Sequence, residues 1–275
     1  MLEKYTDIFA GNTRQPRLTT KVKHVIDTGT ARPIKLRTYR TSPHEDEIAE
    51  KEVNEMLKNG TIRPSKSPWS SPIVLVTKKD GAIRFCVDYR KLNEITKKDV
   101  YPIPRVDEIL DKMARMKYYT TLDLASGYWQ VEIMETDKEK TAFTTKKGFF
   151  EFNNMPFGLC NAPATFQRMM DEVIEGIEWT AGMVYMDDII IGSHTFENHI
   201  RDLSALFDRL RKHSLSVKIS KCKFFKNELP YLGHVLSGEG MKPDPKKIEA
   251  IEKIAYPTNL SELRTFLGIT SYYRK

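Results

Sequence analysis

The sequence contains few cysteines. Only three occur among its 275 residues, at Cys86, Cys160 and Cys222, and no two of them have the Cys-x-x-Cys spacing of a zinc site. An odd number of widely separated cysteines does not provide a disulfide framework. The six histidines show no ligand spacing either. The composition therefore predicts an intracellular protein with reduced thiols and no zinc centre.

Long apolar runs are also missing. No stretch reaches the ~20 residues of a membrane-spanning helix, and the N-terminus has no apolar secretory segment. We therefore expect a soluble protein with no membrane partner. Hydrophobic residues make up 40% and charged residues 29%, which is typical of a folded protein. The net charge of +7 favours a polyanionic partner, although many basic proteins bind no nucleic acid.

The order of the predicted elements indicates an α+β fold. Ser42 and Glu45 form a capping-box pattern that predicts a helix after Ser42. Two β-rich runs then flank Asp80-Gly81, a pattern typical of a hairpin with a two-residue turn. From Thr120 onward, the patterns predict strand, helix, strand, strand, helix and strand. This is the ferredoxin-like βαββαβ arrangement, an antiparallel sheet with two helices.

Within this unit the patterns predict element boundaries. Asn161 is expected to cap a helix whose apolar positions extend to Ile177. The central hairpin is expected to have a strand ending at Met186 and a turn formed by the Asp-Asp pair that follows. The last strand is expected near residues 215–219.

Two further regions lie outside the predicted βαββαβ unit. The insertion between Tyr128 and Asn161 is expected to join the hairpin around Asp80-Gly81 in a separate lobe. The tail from Pro243 is expected to hold two short helices, the second of which begins at Ser261.

Three aspartates are the candidate catalytic residues. Asp187 and Asp188 fall at the predicted hairpin tip, and aspartate tolerates the backbone conformations of such turns. A polar turn is the simpler interpretation of this pair alone. However, Asp123 closes an apolar strand that neighbours the hairpin in a ferredoxin-like sheet. Asp123 and Asp187 would then converge on one exposed edge, and packed carboxylates repel one another unless cations neutralise them.

Oxygen ligands of this kind suit Mg²⁺, with Mn²⁺ as a possible substitute. Two such ions ~3.5–4 Å apart stabilise the attacking and leaving oxygens of phosphoryl transfer. Asp123 and Asp187 are therefore predicted metal ligands.

Five segments resemble one enzyme family. Tyr185-Met186-Asp187-Asp188 resembles the signature tetrad of reverse transcriptases, and Leu122–Gln130 resembles their first catalytic motif. Met155–Pro163 is similar to the template-and-nucleotide motif in the form typical of Ty3/gypsy-type LTR retrotransposons. Phe85–Asn93 and Tyr231–His234 are similar to further family segments. The sequence thus resembles the reverse transcriptase part of such an element's pol polyprotein.

The resemblance implies a polymerase right hand with a ferredoxin-like palm, a fingers lobe and a partial helical thumb. It implies fingers over 1–98 (with an N-terminal arm) and 131–160, palm over 99–130 and 161–240 with the primer grip, and thumb over 241–275. The implied activity is RNA-directed and DNA-directed DNA polymerisation, in which two metal ions assist addition of deoxynucleotides to a primer 3′-hydroxyl. The implied partners are an RNA or DNA template, a DNA or RNA primer and deoxynucleoside triphosphates.

The resemblance also implies a role for each matching residue. Asp123 and Asp187 would bind both ions, with Asp188 less directly engaged. Lys221 matches a lysine near the pyrophosphate, a candidate general acid; a surface lysine is the plainer alternative. The nucleotide-binding positions are Lys79, Arg84, Ser126, Gly127, Tyr128, Phe157 and Gly158. The template and primer positions are Asn161, Pro163, Tyr185, Met186, Tyr231, Leu232 and Gly233.

Two of these positions have specific implications. Tyr128 matches the aromatic residue beneath the incoming sugar that excludes ribonucleotides, whereas an ordinary core aromatic is the plainer interpretation. Phe157 stands where lentiviral enzymes carry glutamine, so its contact would be stacking rather than a hydrogen bond.

The phosphate-gripping lysine is ambiguous between Lys78 and Lys79. Across a two-residue turn, Lys79 would face Ala82 on the side of Arg84, and Lys78 would lie opposite Ile83. This register favours Lys79, although both lysines could form a solvated strand end.

Two alternative functions remain open. The chain could be an inactive polymerase relic that binds nucleic acid, or an RNA-dependent RNA polymerase with the same palm chemistry. The intact aspartates argue against the first, and an aromatic residue at the sugar position argues against the second. The resemblance further implies a cytoplasmic, virus-like-particle setting. It also implies a parent polyprotein with RNase H, protease and integrase, none of which is expected in these residues.

Overall fold

The computed structural model describes residues 1–9, 17–77, 83–125, 127–177 and 181–273. Its α-helices are α1 (Pro43–Lys58), α2 (Arg90–Ile95), α3 (Val106–Met113), α4 (Glu135–Lys138), α5 (Ala162–Ile174), α6 (Phe196–Lys212), α7 (Pro245–Glu252) and α8 (Leu260–Tyr272). Short 3-10 helices span Leu2–Ile8, Gly127–Gln130, Glu139–Thr141 and Ile219–Lys221. No helix in the described ranges is long and apolar enough to cross a membrane.

The strands form separate sheets. They are β1 (Thr19–His24), β2 (Ile62–Pro64), β3 (Ser71–Thr77), β4 (Ile83–Val87), β5 (Tyr118–Asp123), β6 (Val131–Ile133), β7 (Phe143–Thr145), β8 (Gly148–Phe152), β9 (Ala181–Tyr185), β10 (Asp188–Ser193), β11 (Lys223–Lys226), β12 (Glu228–Tyr231), β13 (His234–Ser237) and β14 (Gly240–Pro243). Their sheet orders are β1-β6, β11-β5-β10-β9, β12-β13-β14 and β2-β8-β7-β3-β4.

The four-stranded sheet is the predicted ferredoxin-like unit. Its chain order is β5, α5, β9, β10, α6, β11, and every neighbouring pair of strands is antiparallel. The apolar sides of α5 and α6 are buried, including Phe166 and Phe207, and they pack with Ile189 and Ile191 of the central strand. Burial of this shared apolar surface is what holds helices and sheet together. The predicted α+β fold is confirmed.

Three predicted boundaries within this unit were wrong. The last strand is β11 rather than 215–219, because Val217 donates its amide to Ile8 and Lys218 donates its amide to Asp123, which places this segment across the end of β5. The tip of the central hairpin comprises Met186 and Asp187, so that Asp188 is already the first residue of β10. Helix α5 ends at Ile174 and does not include Ile177.

The five-stranded sheet joins distant parts of the chain. β7 and β8, from the insertion after Tyr128, pair with β3 and β2, as predicted for a separate lobe. In the β3–β4 hairpin, Thr77 pairs with Ile83 and Val76 with Arg84, so the partner of Ile83 is Thr77 rather than Lys78. Five residues, 78–82, therefore connect the paired ends. They lie outside the described residues, as does the predicted two-residue turn at Asp80-Gly81. The register argument that favoured Lys79 no longer holds.

The remaining elements flank the ferredoxin-like unit. In the N-terminal 3-10 helix, Tyr5 and Ile8 are buried, and the Tyr5 ring lies 5.1 Å from that of Phe207 on α6. The capping box of Ser42 and Glu45 forms as predicted. Helix α8 begins at Leu260 rather than Ser261, because the side chain of Asn259 accepts the amide hydrogen of Glu262.

Candidate active site

The three predicted aspartates lie at one end of the ferredoxin-like sheet. Asp188 is paired directly opposite Asp123 across β10 and β5. Asp187 precedes it at the hairpin tip, and its carbonyl oxygen accepts the amide hydrogen of Leu124 at 3.3 Å. The backbone pairing thus brings together residues that are 65 positions apart in the chain (123 to 188).

Asp187 lies in an environment that disfavours its charged form. Its buried Oδ1 has no hydrogen-bond partner among the described residues. Burial, together with the charges of Asp123 and Asp188, raises the pKa of Asp187 to about 6. Loss of hydration and the charge of Asp123 also raise the pKa of Asp188. The fold therefore holds carboxylates together at a cost that a bound cation would relieve.

Gly127 is required by this crowding. A Cβ atom at Gly127 would lie 2.6 Å from Oδ1 of Asp187 and 3.2 Å from Cζ of Phe166. Any larger residue would therefore push the carboxylate or the ring aside. The predicted nucleotide-binding position at Ser126 lies outside the described residues.

Lys221 is the cation next to these carboxylates. Its Nζ donates to both oxygens of Asp123, at 2.8 and 3.1 Å, and its side chain is 56% exposed. An exposed pair of this kind stabilises a fold only weakly. Lys221 therefore neutralises Asp123 in this structure without being held there by packing.

The donor set fits a divalent metal ion. Carboxylate oxygens are the ligands that Mg²⁺ takes, and the unpartnered Oδ1 of Asp187 is an available donor. No group of three or more His, Cys, Asp or Glu side chains in the described ranges is already arranged around one metal position. Asp123 binds Lys221 in this structure and would have to release it to ligate an ion.

The conformation of the hairpin tip depends on Gln167, which was not among the predicted site residues. Met186 has φ +53°, a left-handed conformation that costs a non-glycine residue about 1–2 kcal/mol. The side chain of Gln167 on α5 accepts the Met186 amide hydrogen at 3.1 Å and donates to the Val184 carbonyl at 3.3 Å. Gln167 is fully buried. Its signal in the sequence was a glutamine among the apolar residues of a helix.

A second buried glutamine supports the first catalytic motif. Gln130 donates to the carbonyls of Ala125 and Ser216, each at 3.0 Å, and accepts the Ser216 amide hydrogen at 2.7 Å. These bonds tie the turn after Asp123 to the segment that leads to Lys221. The conformation of the turn after Asp123 is therefore set by contacts between residues that are remote in sequence.

A cavity of about 320 Å³ lies between this site and the five-stranded sheet. Its lining includes Arg84, Trp129, Phe157 and Lys221, and also Lys218, which was not predicted. Three cationic side chains and one carboxylate, that of Glu52, line this cavity. The excess of positive charge suits a phosphate-bearing ligand. Lys79 lies outside the described residues, so its contribution stays a prediction.

Tyr128 packs against Phe157, one of the residues that line this cavity. Its ring lies 5.1 Å from Phe157 and 5.4 Å from Phe166, and it is 9% exposed. Burial, with a smaller effect of the Asp187 charge, raises the pKa of Tyr128 to about 12. The rings of Tyr128 and Phe157 are tilted by 41°.

The loop before α5 is held by two asparagines. Asn93 donates to the Gly158 carbonyl at 2.8 Å and accepts the Cys160 amide hydrogen at 2.9 Å. Asn161 occupies the N-cap position of α5, but the predicted side-chain cap was wrong. Its side chain instead donates to the Lys97 carbonyl at 2.7 Å and accepts the Asp99 amide hydrogen at 3.1 Å.

The predicted template and primer positions lie in three places. Pro163 is in the first turn of α5, and Tyr185 ends β9 opposite Asp188. Tyr231 and Leu232 line a cavity of about 240 Å³ together with Asp123 and Asp188. The turn after β12 is therefore brought to the carboxylates.

Comparisons with known proteins agree with this geometry. The family profile described as "Reverse transcriptase (RNA-dependent DNA polymerase)" matches residues 76–236. The retrovirus-related Pol polyprotein from transposon 297 of Drosophila melanogaster is 43% identical, over 100% of this chain and 26% of that protein. The Pol polyprotein from transposon gypsy of the same species is 40% identical, over 93% of this chain and 25% of that protein. The chain thus spans about a quarter of these relatives.

Solved structures of reverse transcriptases are also similar to this chain. The foamy viral protease-reverse transcriptase dRH in complex with double-stranded DNA has a TM-score of 0.92 and 27% identity, over 99% of this chain and 48% of that chain. The foamy viral protease-reverse transcriptase in complex with an RNA/DNA hybrid has a TM-score of 0.88. The similarity therefore includes the arrangement of the sheets as well as the motifs.

Proposed function

Because the chain belongs to the reverse transcriptase family, of the Ty3/gypsy-type LTR retrotransposon group, we propose that it copies an RNA or DNA template into DNA. The proposed reaction adds a deoxynucleotide to a primer 3′-hydroxyl and releases pyrophosphate. The observation that carries this proposal is the pairing of Asp123 with Asp188 beside the buried, unpartnered carboxylate oxygen of Asp187. A domain that only bound nucleic acid would gain nothing from carboxylates that face phosphates.

The proposed domain boundaries follow the four-stranded and five-stranded sheets. Residues 1–98 and 131–160 are assigned to fingers, because the five-stranded sheet draws its strands from both. Residues 99–130 and 161–240 are assigned to the palm and primer grip, and 241–275 to part of the thumb.

Asp123, Asp187 and Asp188 would hold two Mg²⁺ ions, and Mn²⁺ is a plausible substitute on ligand chemistry. When bound, the ions would lower the pKa of the primer hydroxyl and neutralise charge on the triphosphate. The side chains contribute by placing oxygen ligands on one edge of a rigid sheet. Gly127 leaves room for Asp187, and Gln167 keeps the hairpin tip in place.

The nucleotide would occupy the cavity lined by Arg84, Phe157 and Lys221. Arg84 would contact phosphate oxygens, and Lys221 would donate a proton to the departing pyrophosphate after leaving Asp123. Tyr128 would lie beneath the sugar and exclude a 2′-hydroxyl by a steric clash. The primer terminus would lie against Tyr231, Leu232 and Gly233. Tyr231 and Leu232 line the smaller cavity together with Asp123 and Asp188.

Primer extension tests the proposal. The purified chain is expected to extend a DNA primer on an RNA template with Mg²⁺ and four deoxynucleotides. Asp187→Asn keeps the size of the side chain but removes a charged ligand, so extension should fall by at least about 10³-fold. Binding of the primer–template should persist, since it depends on lysine and arginine contacts to phosphates.

The outcomes separate the alternatives. Binding without extension by the wild type would identify an inactive relic, and extension with ribonucleotides in preference to deoxynucleotides would identify an RNA polymerase. Near-normal extension by Asp187→Asn would show that the site is misassigned.

A further inference from the structure

The turn between β12 and β13 has a strained backbone. Leu232 has φ +44° and Gly233 has φ +76°, so both residues of this two-residue connection are left-handed. A hairpin turn of this kind favours Asn-Gly, because a branched aliphatic residue in the first position is unfavourable by about 1–2 kcal/mol. Contacts from elsewhere in the molecule must therefore hold Leu232 in this conformation.

One side of the turn faces the carboxylates. Leu232 and Tyr231 line the cavity of about 240 Å³ that also contains Asp123, Asp188 and Lys221. The position of the turn thus sets one wall of the space next to the catalytic edge of the sheet.

The other side of the turn is held by the end of helix α8. The Tyr272 hydroxyl donates to the Leu232 carbonyl at 2.6 Å, and the Tyr273 hydroxyl donates to the Gly233 carbonyl at 3.2 Å. The ring of His234 packs against both tyrosine rings, with centroid distances of 5.7 and 5.2 Å. Adjacent tyrosines therefore bind the carbonyls of the two adjacent left-handed residues.

The contact is also close enough to exclude a side chain. A Cβ atom at Gly233 would lie 3.0 Å from the Tyr273 hydroxyl oxygen and 3.3 Å from Cε1 of Tyr272. The Asp244 amide donates to the same Gly233 carbonyl at 3.0 Å. The turn is thus enclosed by the residue before α7 and by the C-terminal end of α8.

From these contacts we infer that Tyr272 and Tyr273 are positioning residues for the primer terminus, acting through the backbone of Leu232 and Gly233. This inference rests on the proposed function. Because the tyrosines end α8, a shift of that helix would move the turn that faces the carboxylates. The pair therefore couples the thumb helix to the place where the primer 3′-hydroxyl must lie.

The test compares Tyr272→Phe, Tyr273→Phe and the double variant with the wild type, and uses Tyr256→Phe as a matched control. Tyr256 lies between α7 and α8 and is 93% exposed. Each change removes a hydroxyl and keeps the ring, so packing against His234 is retained. The measurements are kcat and KM for a deoxynucleotide, Kd for the primer–template, Tm, and hydrogen exchange of the peptide spanning 228–237.

The double variant is expected to lower kcat about tenfold, the scale set by two net hydrogen bonds, with KM and Kd changed less than about twofold. Hydrogen exchange in 228–237 should increase, while Tyr256→Phe changes nothing. Unchanged hydrogen exchange and unchanged kcat in the double variant would overturn the inference. A lower Tm with a KM that rises by the same factor as kcat falls would also overturn it.

The exchange measurement does not depend on activity. A wild-type chain that never extends a primer would overturn the proposed function and, with it, the primer role of the tyrosines. A wild type that extends normally, with a double variant that matches it, would overturn only the tyrosine inference.

Discussion

At the scale of single residues, Asp187 is required by the proposed reaction but lies in an environment that disfavours its charged form. Its pKa is raised to about 6 by burial and by Asp123 and Asp188. A carboxyl whose pKa is higher in the folded than in the unfolded chain binds its proton more tightly when folded. Stability of the metal-free protein should therefore fall as pH rises from about 4 to about 6, and stay lower above that range.

Asp187→Asn should consequently stabilise the metal-free protein at pH 7.5 while abolishing extension. The shift corresponds to at most about 3 kcal/mol, and partial solvent screening should reduce the gain to about 1–2 kcal/mol. Urea unfolding in EDTA at pH 7.5 and pH 4 measures it, with the gain expected only at pH 7.5. Asp208→Asn, an exposed site on α6, serves as the control. An equal gain at both pH values would contradict the electrostatic explanation.

The contacts of Tyr128 fit two roles, a steric gate against ribonucleotides and an aromatic residue of the core. It is buried and touches Phe166 of the core, but it also touches the half-exposed Phe157 at the cavity. If the ring excludes a 2′-hydroxyl, Tyr128→Val should raise ribonucleotide use far more than it changes deoxynucleotide use. Tyr128→Phe should change little, because the ring does the excluding.

The measurement is kcat/KM for matched ribo- and deoxynucleotides in both variants. A core role instead predicts that Tyr128→Val lowers both values together and costs about 3 kcal/mol of stability. An unchanged ratio in that variant would rule out the gate.

At the scale of elements, α5 acts on the hairpin between β9 and β10 through Gln167. Gln167→Met keeps the volume but leaves the Met186 amide and the Val184 carbonyl without this partner. We expect a loss of about 1–3 kcal/mol in stability and about a tenfold fall in kcat, because the tip that carries Asp187 is no longer held.

Thr165→Val is the matched control for that change. Thr165 is buried on the same helix and bonds to the ring of His24 at 2.9 Å, away from the hairpin tip. It should lose a similar amount of stability in urea unfolding and keep its kcat. If both variants lost kcat equally, the effect would reflect general loosening of α5.

At the scale of the whole molecule, charge should govern nucleic-acid binding. The chain carries a net charge of +7, and Arg84, Lys218 and Lys221 line one cavity beside the carboxylates. Phosphate contacts release counterions, so the affinity for a primer–template should fall by at least about tenfold between 50 and 200 mM salt. Fluorescence anisotropy at several salt concentrations measures this slope. A flat dependence would contradict the proposed cleft.

The sequence alone determined the features that depend on local order along the chain. The βαββαβ unit followed from apolar periodicity, and the capping box followed from Ser42 and Glu45. The joining of the insertion to the first hairpin was also predictable, because exposed strands need partners. Asp123, Asp187 and Asp188 could be named together because a ferredoxin-like sheet makes their strands neighbours.

Only the tertiary structure decided the features that depend on distant contacts. The left-handed residue of the hairpin tip is Met186 rather than an aspartate, because Gln167 binds its amide. The last strand lies at β11 because the segment before it pairs with Asp123 and Ile8. The bonds from Tyr272 and Tyr273 to the turn at Leu232 and Gly233 span about 40 residues of chain. Periodicity reports which face of an element is buried, whereas the partner that buries it is set by packing.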